Sequence, residues 1–391
     1  MSQYYFDHAA SAPRRDEVTE AMAPWMHGVV GNPSGSHRAA RAARRAVEEA
    51  RDVVASFVGA KPGGVIFTAG GTESCTLAVT GVAHAHRRSH ELTTVVVSAI
   101  EHHAVLDAAY MLAADHDSVR VREIAVDAEG VLDVAALHEA LDETVALVSV
   151  MAVNNETGVV QPLGAMVDAV AAMGRAHAVT HSDAVAAAPW LDLGELCAGV
   201  DAVSLCAHKL GGPVNSGALV LRGDVALEAM MPGGGQERGR RGGTVDVAAC
   251  VGLAAAIRCV EAERRAGHDR VRQHQDRLRQ SLATLAGAAI TAEQARTVPG
   301  TVHVTFEGLA SDEMLFLLDQ DGVCASAASS CSSGAAVSSH VLAAMGVAAP
   351  RARGSLRLTM GPDTCDDEVT AVIAAVTRAH ARLLEESRSR R

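Results

Sequence analysis

Lysine is the residue type that first suggests chemistry in this 391-residue chain, because only Lys61 and Lys209 occur beside 32 arginines. A desolvated amine can lose its proton and attack a carbonyl carbon to form an imine, whereas a guanidinium stays protonated. Lys209 ends an apolar run and follows His208, so we expect it at a strand-to-turn edge. Lys61 stands in a segment typical of an exposed turn. Lys209 is therefore predicted to form an imine, and a plain surface charge is the alternative.

A glycine-containing turn at residues 70–72 could bind an anion. Gly70, Gly71 and Thr72 stand between a predicted strand and a predicted helix. Backbone amides at a helix N-terminus, together with a hydroxyl group, form a cup for phosphate. No Gly-Lys-Ser/Thr sequence follows, so a nucleoside triphosphate is not indicated. We interpret the segment as a phosphate cup, with an ordinary turn capped by Thr72 as the alternative.

Two ionisable side chains each follow a predicted strand, where ligands gather in parallel sheets. Asp183 could pair with a cationic ring nitrogen such as a pyridinium, and a helix N-cap is the alternative. His102 follows the strand that begins at Thr93. Its ring could stack on a flat cofactor and act as an acid or a base. A hydrogen-bonded polar histidine without a catalytic role is the alternative.

Cys331 and Arg357 complete the set of candidate residues. Cys331 lies among small residues at 326–334 that are too poor in bulk to pack a core. We therefore expect a mobile loop with an accessible thiolate nucleophile. Cys324 is expected to be buried. Arg357 is flanked by two leucines on a predicted strand, which favours a buried guanidinium that could clasp a small carboxylate.

Together these groups supply what a pyridoxal phosphate enzyme needs. They are an imine lysine, a phosphate cup, a partner for a pyridinium nitrogen, a ring-stacking histidine and a carboxylate clamp. Each signal is weak alone, and their joint occurrence by chance is improbable. No set of metal ligands is predicted.

Alternating strands and helices must bring these groups together. Buried strands are predicted at residues 65–68, 93–98, 145–153, 178–181, 202–206 and 216–221. One helix is predicted at 36–58, a second helix ends near residue 84, and a third begins near residue 103. This alternation predicts an α/β fold with a mostly parallel sheet, and a ligand outside the carboxyl ends of its strands. A glycine- and arginine-rich loop at 233–244 precedes a helix from about 245 to 266. Strands at 301–306 and 355–359 suggest a smaller α+β domain.

Composition limits the classes of function. A net charge of −12 argues against a nucleic-acid-binding surface, and the arginines from Arg38 to Arg51 are expected on a solvated helix face. No apolar stretch approaches the roughly 18 residues of a membrane helix, and the first residues do not resemble a signal peptide. Eight cysteines without a Cys-x-x-Cys pair indicate reduced thiols, most of them buried, and a cytoplasmic location.

The chain resembles cysteine desulfurases of the NifS/IscS-like branch, in the class V aminotransferase group of fold-type I pyridoxal phosphate enzymes. The resemblance covers nearly the whole chain. It rests on Phe6-Asp7-His8-Ala9-Ala10, Gly31-Asn32-Pro33-Ser34, Gly71-Thr72-Glu73-Ser74, Glu101-His102, Asn154-Asn155-Glu156, Asp183-Ala184, Ala207-His208-Lys209, the loop at 233–239, Ser330-Cys331-Ser332-Ser333-Gly334, His340-Val341-Leu342 and Arg357. The nine-residue step from Cys331 to His340 resembles the longer catalytic loop of this branch.

The resemblance implies a large cofactor-binding domain at residues 16–255, with a mainly parallel seven-stranded sheet flanked by helices. It implies a smaller α+β domain at residues 1–15 and 256–391, which carries the loop with Cys331. It also implies a homodimer with the active site at the interface, and a protein that accepts sulfur.

For the site, the resemblance implies that Lys209 holds pyridoxal 5'-phosphate through an imine and moves the Cα proton of L-cysteine. The Cys331 thiolate would take the substrate sulfur as a persulfide, release alanine and pass the sulfur on. The other implied contacts are Asp183 at the pyridine nitrogen, His102 on the ring, Gly71, Thr72, Cys206 and His208 at the phosphate, Thr244 from the second subunit, Asn155 and Arg357 at the substrate carboxylate, and Asn32 at the substrate.

Several positions depart from the family pattern. The usual glutamine three residues after the aspartate is Ala186, and the usual serine three residues before the lysine is Cys206, a weak donor. The asparagine of the N-terminal motif is His8, and the second residue of an Arg-Ser-Gly-Thr motif is Gly242. We expect weaker cofactor retention rather than loss of chemistry. The alternatives are a related lyase acting on another C–S or C–Se bond, which could dispense with Cys331, and a non-catalytic partner with a decayed site.

Overall fold

The computed structural model describes residues 3–174, 178–327 and 339–389, without the side chains of residues 265–267 and 387–389. Its strands are β1 (Tyr4–Tyr5), β2 (Val65–Thr68), β3 (Thr93–Ser98), β4 (Val119–Ile124), β5 (Val145–Ser149), β6 (Val179–Asp183), β7 (Ala202–Cys206), β8 (Gly217–Leu221), β9 (Ala288–Ile290), β10 (Thr301–Phe306), β11 (Val323–Cys324) and β12 (Ser355–Thr359). Its α-helices are α1 (Asp16–Met26), α2 (Arg38–Val58), α3 (Gly71–Arg87), α4 (His103–Asp115), α5 (Val134–Ala140), α6 (Leu163–Ala172), α7 (Leu193–Leu196), α8 (Val247–Ala283), α9 (Ser311–Gln320), α10 (His340–Ala344), α11 (Ala349–Ala352) and α12 (Asp366–Ser389).

The central sheet has seven strands in the order β2, β8, β7, β6, β5, β3 and β4. The five strands from β7 to β4 run parallel, whereas β8 is antiparallel to both of its neighbours. All residues of β3, β5 and β7 are buried, as expected for strands covered by helices on both faces. The expectation of a mainly parallel seven-stranded sheet is confirmed.

The largest errors in the predicted boundaries are at the ends of β5 and α8. β5 ends at Ser149 rather than at residue 153. Beyond Ser149, the Val150 and Ala152 amides still donate to carbonyl oxygens of β6, but the Met151 amide donates to the Glu101 carboxyl instead of to a strand. The helix expected to end near residue 266 continues to Ala283. Its second half is mostly polar, but Val271 and Leu278 face inward and are fully buried.

The sequence did not predict four of the strands, namely β1, β4, β9 and β11, and β4 is the longest of them. In β4, arginine and glutamate interrupt the apolar residues, and only the two end residues are buried. β4 lies at the edge of the sheet, paired with β3 alone, so much of its length meets solvent. An edge strand of this composition lacks the apolar run that marks the central strands.

A smaller antiparallel sheet, in the order β12, β10 and β9, lies in the C-terminal part of the chain. Its apolar cluster includes Phe6 and Phe306 and is separate from the cluster of the central sheet. α8 contributes to both, since Leu253 belongs to the first cluster and Leu278 to the second. The N-terminal residues also join this part: β1 pairs with β11, and Asp7 forms a bridge to β12.

Two expectations about single side chains are wrong as well. Arg51 was expected on a solvated helix face but is 6% exposed, because it pairs with Glu237. Cys324 was expected to be buried and is half-buried. The seven cysteines within the described ranges are free thiols.

Among the described residues, no helix combines the length and the apolar character needed to cross a bilayer.

Candidate active site

A cavity of about 400 Å³ opens where the parallel strands of the central sheet end. Its wall includes nine of the residues that the sequence placed in the site: Gly71, Thr72, His102, Asn155, Asp183, Cys206, His208, Lys209 and Arg357. These residues come from positions almost 290 apart in the chain. The topology therefore brings the separate sequence signals to one place.

Lys209 lies in a short 3-10 helix, His208–Leu210, directly after β7. Its Nζ donates to the carbonyl oxygens of Ala9 and Ala10, at 2.8 Å for Ala10. The N-terminal segment thus holds the amine at the cavity wall. The chain's second lysine, Lys61, is exposed and does not line the cavity.

The start of α3 forms one end of the cavity. Gly70, which precedes it, has φ +145°, a value that favours glycine. A Cβ at Gly71 would lie 2.9 Å from Cγ2 of Val185, so a side chain there would crowd the wall. Burial lowers the pKa of His208 to about 4, with a further contribution from the Lys209 charge. This end therefore offers a helix N-terminus and a neutral imidazole to an anion.

Asp183 and His102 lie at the ends of two parallel strands. Asp183 closes β6, is 6% exposed, and accepts a hydrogen bond from the Val185 amide at 2.9 Å. His102 is the N-cap of α4, and its Nδ1 accepts from the Ala104 amide at 3.0 Å. Acceptance at Nδ1 leaves Nε2 as the protonated nitrogen of a neutral ring. His102 therefore combines a capping contact with a position on the cavity wall.

Arg357 lies in the middle of β12 and is 3% exposed. Its Nη1 donates to the Asn155 carbonyl oxygen at 3.0 Å, and its Nη2 donates to Asp7 Oδ1 at 2.9 Å. In the described part of the chain, Nε has no hydrogen-bond partner. Burial and these two contacts hold the guanidinium in place at the cavity wall.

Three predicted site residues are not among those that line the cavity. Asn32 is exposed, and its Oδ1 accepts from the Ser34 amide at 2.9 Å. Thr244 is exposed as well. Cys331 lies outside the described residues. The roles given to these three residues stay predictions, as do the roles given to the nine residues in the cavity wall.

Three positions that depart from the family pattern line the cavity, namely His8, Ala186 and Cys206. Burial raises the pKa of the Cys206 thiol to about 11, so it stays protonated, and its Sγ lies 4.0 Å from His208 Nε2. Burial lowers the pKa of His8. These substitutions therefore change the lining of the cavity itself.

Glu101 and Glu156 have no role predicted from the sequence, although both stand in motifs beside site residues. Burial, followed by the charge of Asp183, raises the pKa of Glu101 to about 8. Burial raises the pKa of Glu156 to about 7, and Ser339 donates a hydrogen bond to its carboxyl. Their adjacency to Asn155 and His102 was the only signal, because burial of a glutamate is set by tertiary packing.

Known proteins match this chain over nearly its full length. The family model for aminotransferase class-V matches residues 4–372. An IscS-like cysteine desulfurase of Mycobacterium tuberculosis is 42% identical over 383 residues, which cover 97% of this chain and 96% of that protein. The cysteine desulfurase IscS of Dictyoglomus turgidum is 33% identical over 97% of this chain and 95% of its own length.

Two solved structures have the same architecture. A NifS-like protein superimposes with a TM-score of 0.89 at 30% identity, covering 98% of this chain and 100% of its own. The structure of SspA in complex with cysteine gives a TM-score of 0.80 at 30% identity, covering 93% of this chain and 100% of its own. With a family match over most of the sequence and relatives above 30% identity, the chain belongs to the aminotransferase class-V family.

Proposed function

We propose that this protein is a cysteine desulfurase, which removes sulfur from L-cysteine and leaves L-alanine. The observation that carries the proposal is that the Lys209 amine, the Asp183 carboxylate and the Arg357 guanidinium line one cavity. The names of its relatives support the same activity, and the related SspA was solved in complex with cysteine.

The cavity fits pyridoxal 5'-phosphate, on which this family depends. Gly71 has no Cβ, which leaves room for a ligand at this end of the cavity. A phosphate could be bound there by the start of α3, by Thr72 and by His208. Asp183 is a buried carboxylate suited to a protonated ring nitrogen. When bound, the cofactor supplies an electron sink for the carbon next to the substrate amine. Lys209 is the residue that would hold it covalently, because it is the only amine side chain of the cavity wall.

Each side chain of the cavity wall has a separate role toward the substrate. Arg357 and Asn155 hold the carboxylate, which orients Cα toward the Lys209 amine. Lys209 moves the Cα proton, because an amine in a buried wall can act as a base. Asp183 would hold the ring nitrogen in its protonated form, and His102 would lie against the ring with Nε2–H available.

Sulfur leaves through Cys331. Its thiolate attacks the sulfur of the substrate, the C–S bond breaks, and the electron pair of that bond passes to carbon, which is protonated to give alanine. The sulfur remains on Cys331 as a persulfide and is passed to a protein acceptor. The departure of Cys206 from the usual serine affects cofactor retention and leaves this transfer unchanged.

We also propose the division into a large domain at 16–255 and a smaller one at 1–15 and 256–391. The two separate apolar clusters support it, although α8 runs through both. A homodimer in the cytoplasm is part of the proposal. In it, Thr244 contacts the phosphate of the partner's site, since Thr244 is exposed in one chain and outside its own cavity. The contact of Asn32 with the substrate is part of the proposal as well.

Replacement of Cys331 tests the reaction. The variant Cys331→Ser should lose alanine formation from cysteine while it keeps bound cofactor. Cys365 is exposed and lies outside the cavity, so Cys365→Ser is the matched control and should keep full turnover. Alanine production by Cys331→Ser would favour the lyase alternative. A colourless protein that does not take up added cofactor would instead favour the non-catalytic partner.

A further inference from the structure

Arg357, which is proposed to hold the substrate carboxylate, already has a carboxylate partner. Its Nη2 donates to Asp7 Oδ1 at 2.9 Å, and the two side chains are 4% and 21% exposed. In the described part of the chain, this is the one ion pair that Arg357 forms. Arg357 lines the cavity, whereas Asp7 is not among the described residues of its wall. A ligand in the cavity would therefore meet the guanidinium and leave its partner in place.

The backbone holds Asp7 beside the strand that carries Arg357. The Thr359 amide of β12 donates to the Phe6 carbonyl oxygen at 2.7 Å, and the His8 amide donates to the Thr359 carbonyl oxygen at 3.3 Å. The Phe6 side chain is fully buried in the apolar cluster of the smaller sheet. Both neighbours of Asp7 are therefore fixed to β12, which sets its carboxylate against the guanidinium.

The turn that begins at Asp7 also contacts Lys209. The Ala10 amide donates to the Asp7 carbonyl oxygen at 3.0 Å, and the carbonyl oxygens of Ala9 and Ala10 accept from Lys209 Nζ. A substitution that moved this backbone would disturb Arg357 and Lys209 together. The charge of Asp7 is therefore best removed by asparagine, which has nearly the same shape and keeps an oxygen that accepts from Nη2.

The orientation of Arg357 has a second support that carries no charge. Its Nη1 donates to the Asn155 carbonyl oxygen at 3.0 Å, and its backbone is paired with His303 in the middle of the smaller sheet. With an amide at position 7, both of these contacts and an acceptor for Nη2 would remain. The Asp7 charge is therefore expected to affect what Arg357 binds more than where Arg357 lies.

This charge determines how much a ligand carboxylate gains at Arg357. A buried guanidinium without a counter-charge is costly, so a carboxylate that reached it would bind strongly. Asp7 already compensates the charge, and a ligand must share the guanidinium with it. The two carboxylates also repel each other, which in a partly buried site amounts to roughly tenfold in a dissociation constant. Asp7 is therefore expected to weaken the binding of carboxylate ligands.

Glu156, the other acid near Arg357, does not supply this counter-charge. Its carboxyl accepts a hydrogen bond from Ser339 Oγ at 2.5 Å. Burial raises its pKa to about 7, despite that hydrogen bond and the charge of Arg357. Within the described ranges, no ion pair joins Glu156 to Arg357.

We propose that Asp7 is a built-in counter-charge that limits how tightly Arg357 binds a carboxylate in the cavity. In the proposed reaction, on which this inference rests, cysteine and alanine carry the same carboxylate. Without the Asp7 charge both would bind more tightly, and alanine would leave more slowly. Asp7 thus acts through Arg357, as a positioning residue, to favour release of the product.

Binding of two amines to the holoenzyme tests the effect on a ligand. The absorbance of the cofactor is followed during titration with L-alanine and with ethylamine, which is alanine without its carboxylate. Asp7→Asn should lower the dissociation constant of L-alanine about tenfold and leave that of ethylamine within about twofold. The matched control is Glu307→Gln, which breaks a largely exposed ion pair with Arg351 and should change neither constant. Unchanged or weaker binding of L-alanine by Asp7→Asn would overturn the proposal.

Thermal unfolding of the apo-protein tests the same charge without cofactor or turnover. Acetate supplies a carboxylate alone, and acetamide is its uncharged counterpart. Acetate should raise the melting temperature of Asp7→Asn by about 2 °C more than that of the parent protein, and acetamide should not. The addition of Arg357→Gln to Asp7→Asn should abolish this effect, which locates it at the guanidinium.

Equal responses of the parent protein and Asp7→Asn to acetate would contradict the proposal. An Asp7→Asn protein that folds only with acetate, and not with acetamide, would support it. A parent protein that forms no alanine from cysteine would refute the desulfurase, while the acetate response would still identify the counter-charge. Normal alanine formation together with equal acetate responses would retain the desulfurase and refute the role of Asp7.

Discussion

Arg51 and Glu237 form a bidentate ion pair from which water is almost fully excluded. Their side chains are 7% and 3% exposed, and the two guanidinium nitrogens donate at 2.8 and 2.9 Å. The same carboxylate accepts from the Phe67 amide at 2.9 Å. Glu237 has φ +45°, in the left-handed region that non-glycine residues seldom adopt. The ion pair therefore ties α2 and β2 to the glycine- and arginine-rich segment and holds its strained backbone.

Removal of the Glu237 charge should cost much stability. Glu237→Gln leaves the Arg51 guanidinium buried without its counter-charge, and a loss of about 3 kcal/mol in the free energy of unfolding is expected. Urea unfolding of the apo-protein measures it. The matched control is Asp321→Asn, which breaks the exposed pair with Arg378 and should cost less than about 1 kcal/mol. Similar losses for the two variants would show that the buried pair has no special role.

Glu156 should make stability depend on pH. Burial raises its pKa in the folded protein to about 7, from an ordinary value of 4.5. The folded state therefore binds more protons between these values, and the contribution of Glu156 to stability is complete below pH 4.5 and is lost as the pH rises through 7. The difference between the two pKa values corresponds to about 3 kcal/mol.

The variant Glu156→Gln isolates this effect. Relative to the parent protein, it should gain stability as the pH rises from 5 to 8, because the amide has no charge to bury. The measurement is the free energy of unfolding of both proteins at each pH. Glu101 titrates in both, so its contribution cancels in the difference. A difference that stays constant over this range would contradict the prediction.

The residues of the candidate site could be predicted from the sequence more completely than the details of the fold. Lys209 stood out because guanidinium cannot form an imine, and Asp183 because it follows a strand; both are local facts. Glu101 and Glu156 could not be found in this way, since their burial depends on which parts of the chain pack against them. That depends on register, which a single sequence sets only through packing. The Arg51 prediction failed for the same reason: its partner Glu237 is 186 residues away.

The two lysines offer a test of covalent cofactor attachment with an internal control. Reduction of the holoenzyme with borohydride should fix the cofactor to one peptide, the one that contains Lys209. Lys209→Ala should lose this label and more than about 100-fold in turnover, since it removes the proton-transferring amine. Lys61→Ala should keep both, because Lys61 is exposed and outside the cavity. Label on the peptide with Lys61 would refute the assignment.

Cys206 should limit how tightly the cofactor is held. Its thiol is 1% exposed, lines the cavity beside His208 and stays protonated, because burial raises its pKa to about 11. A thiol is a weak donor, so Cys206→Ser, which places a hydroxyl at the same position, should lower the dissociation constant of pyridoxal phosphate about three- to tenfold. Equilibrium dialysis measures the constant, and Cys206→Ala is the matched control, since it removes the side-chain donor altogether. Tighter binding by the serine variant but not by the alanine variant would identify a hydrogen bond to the cofactor; equal constants for both would mean that this position does not contact it.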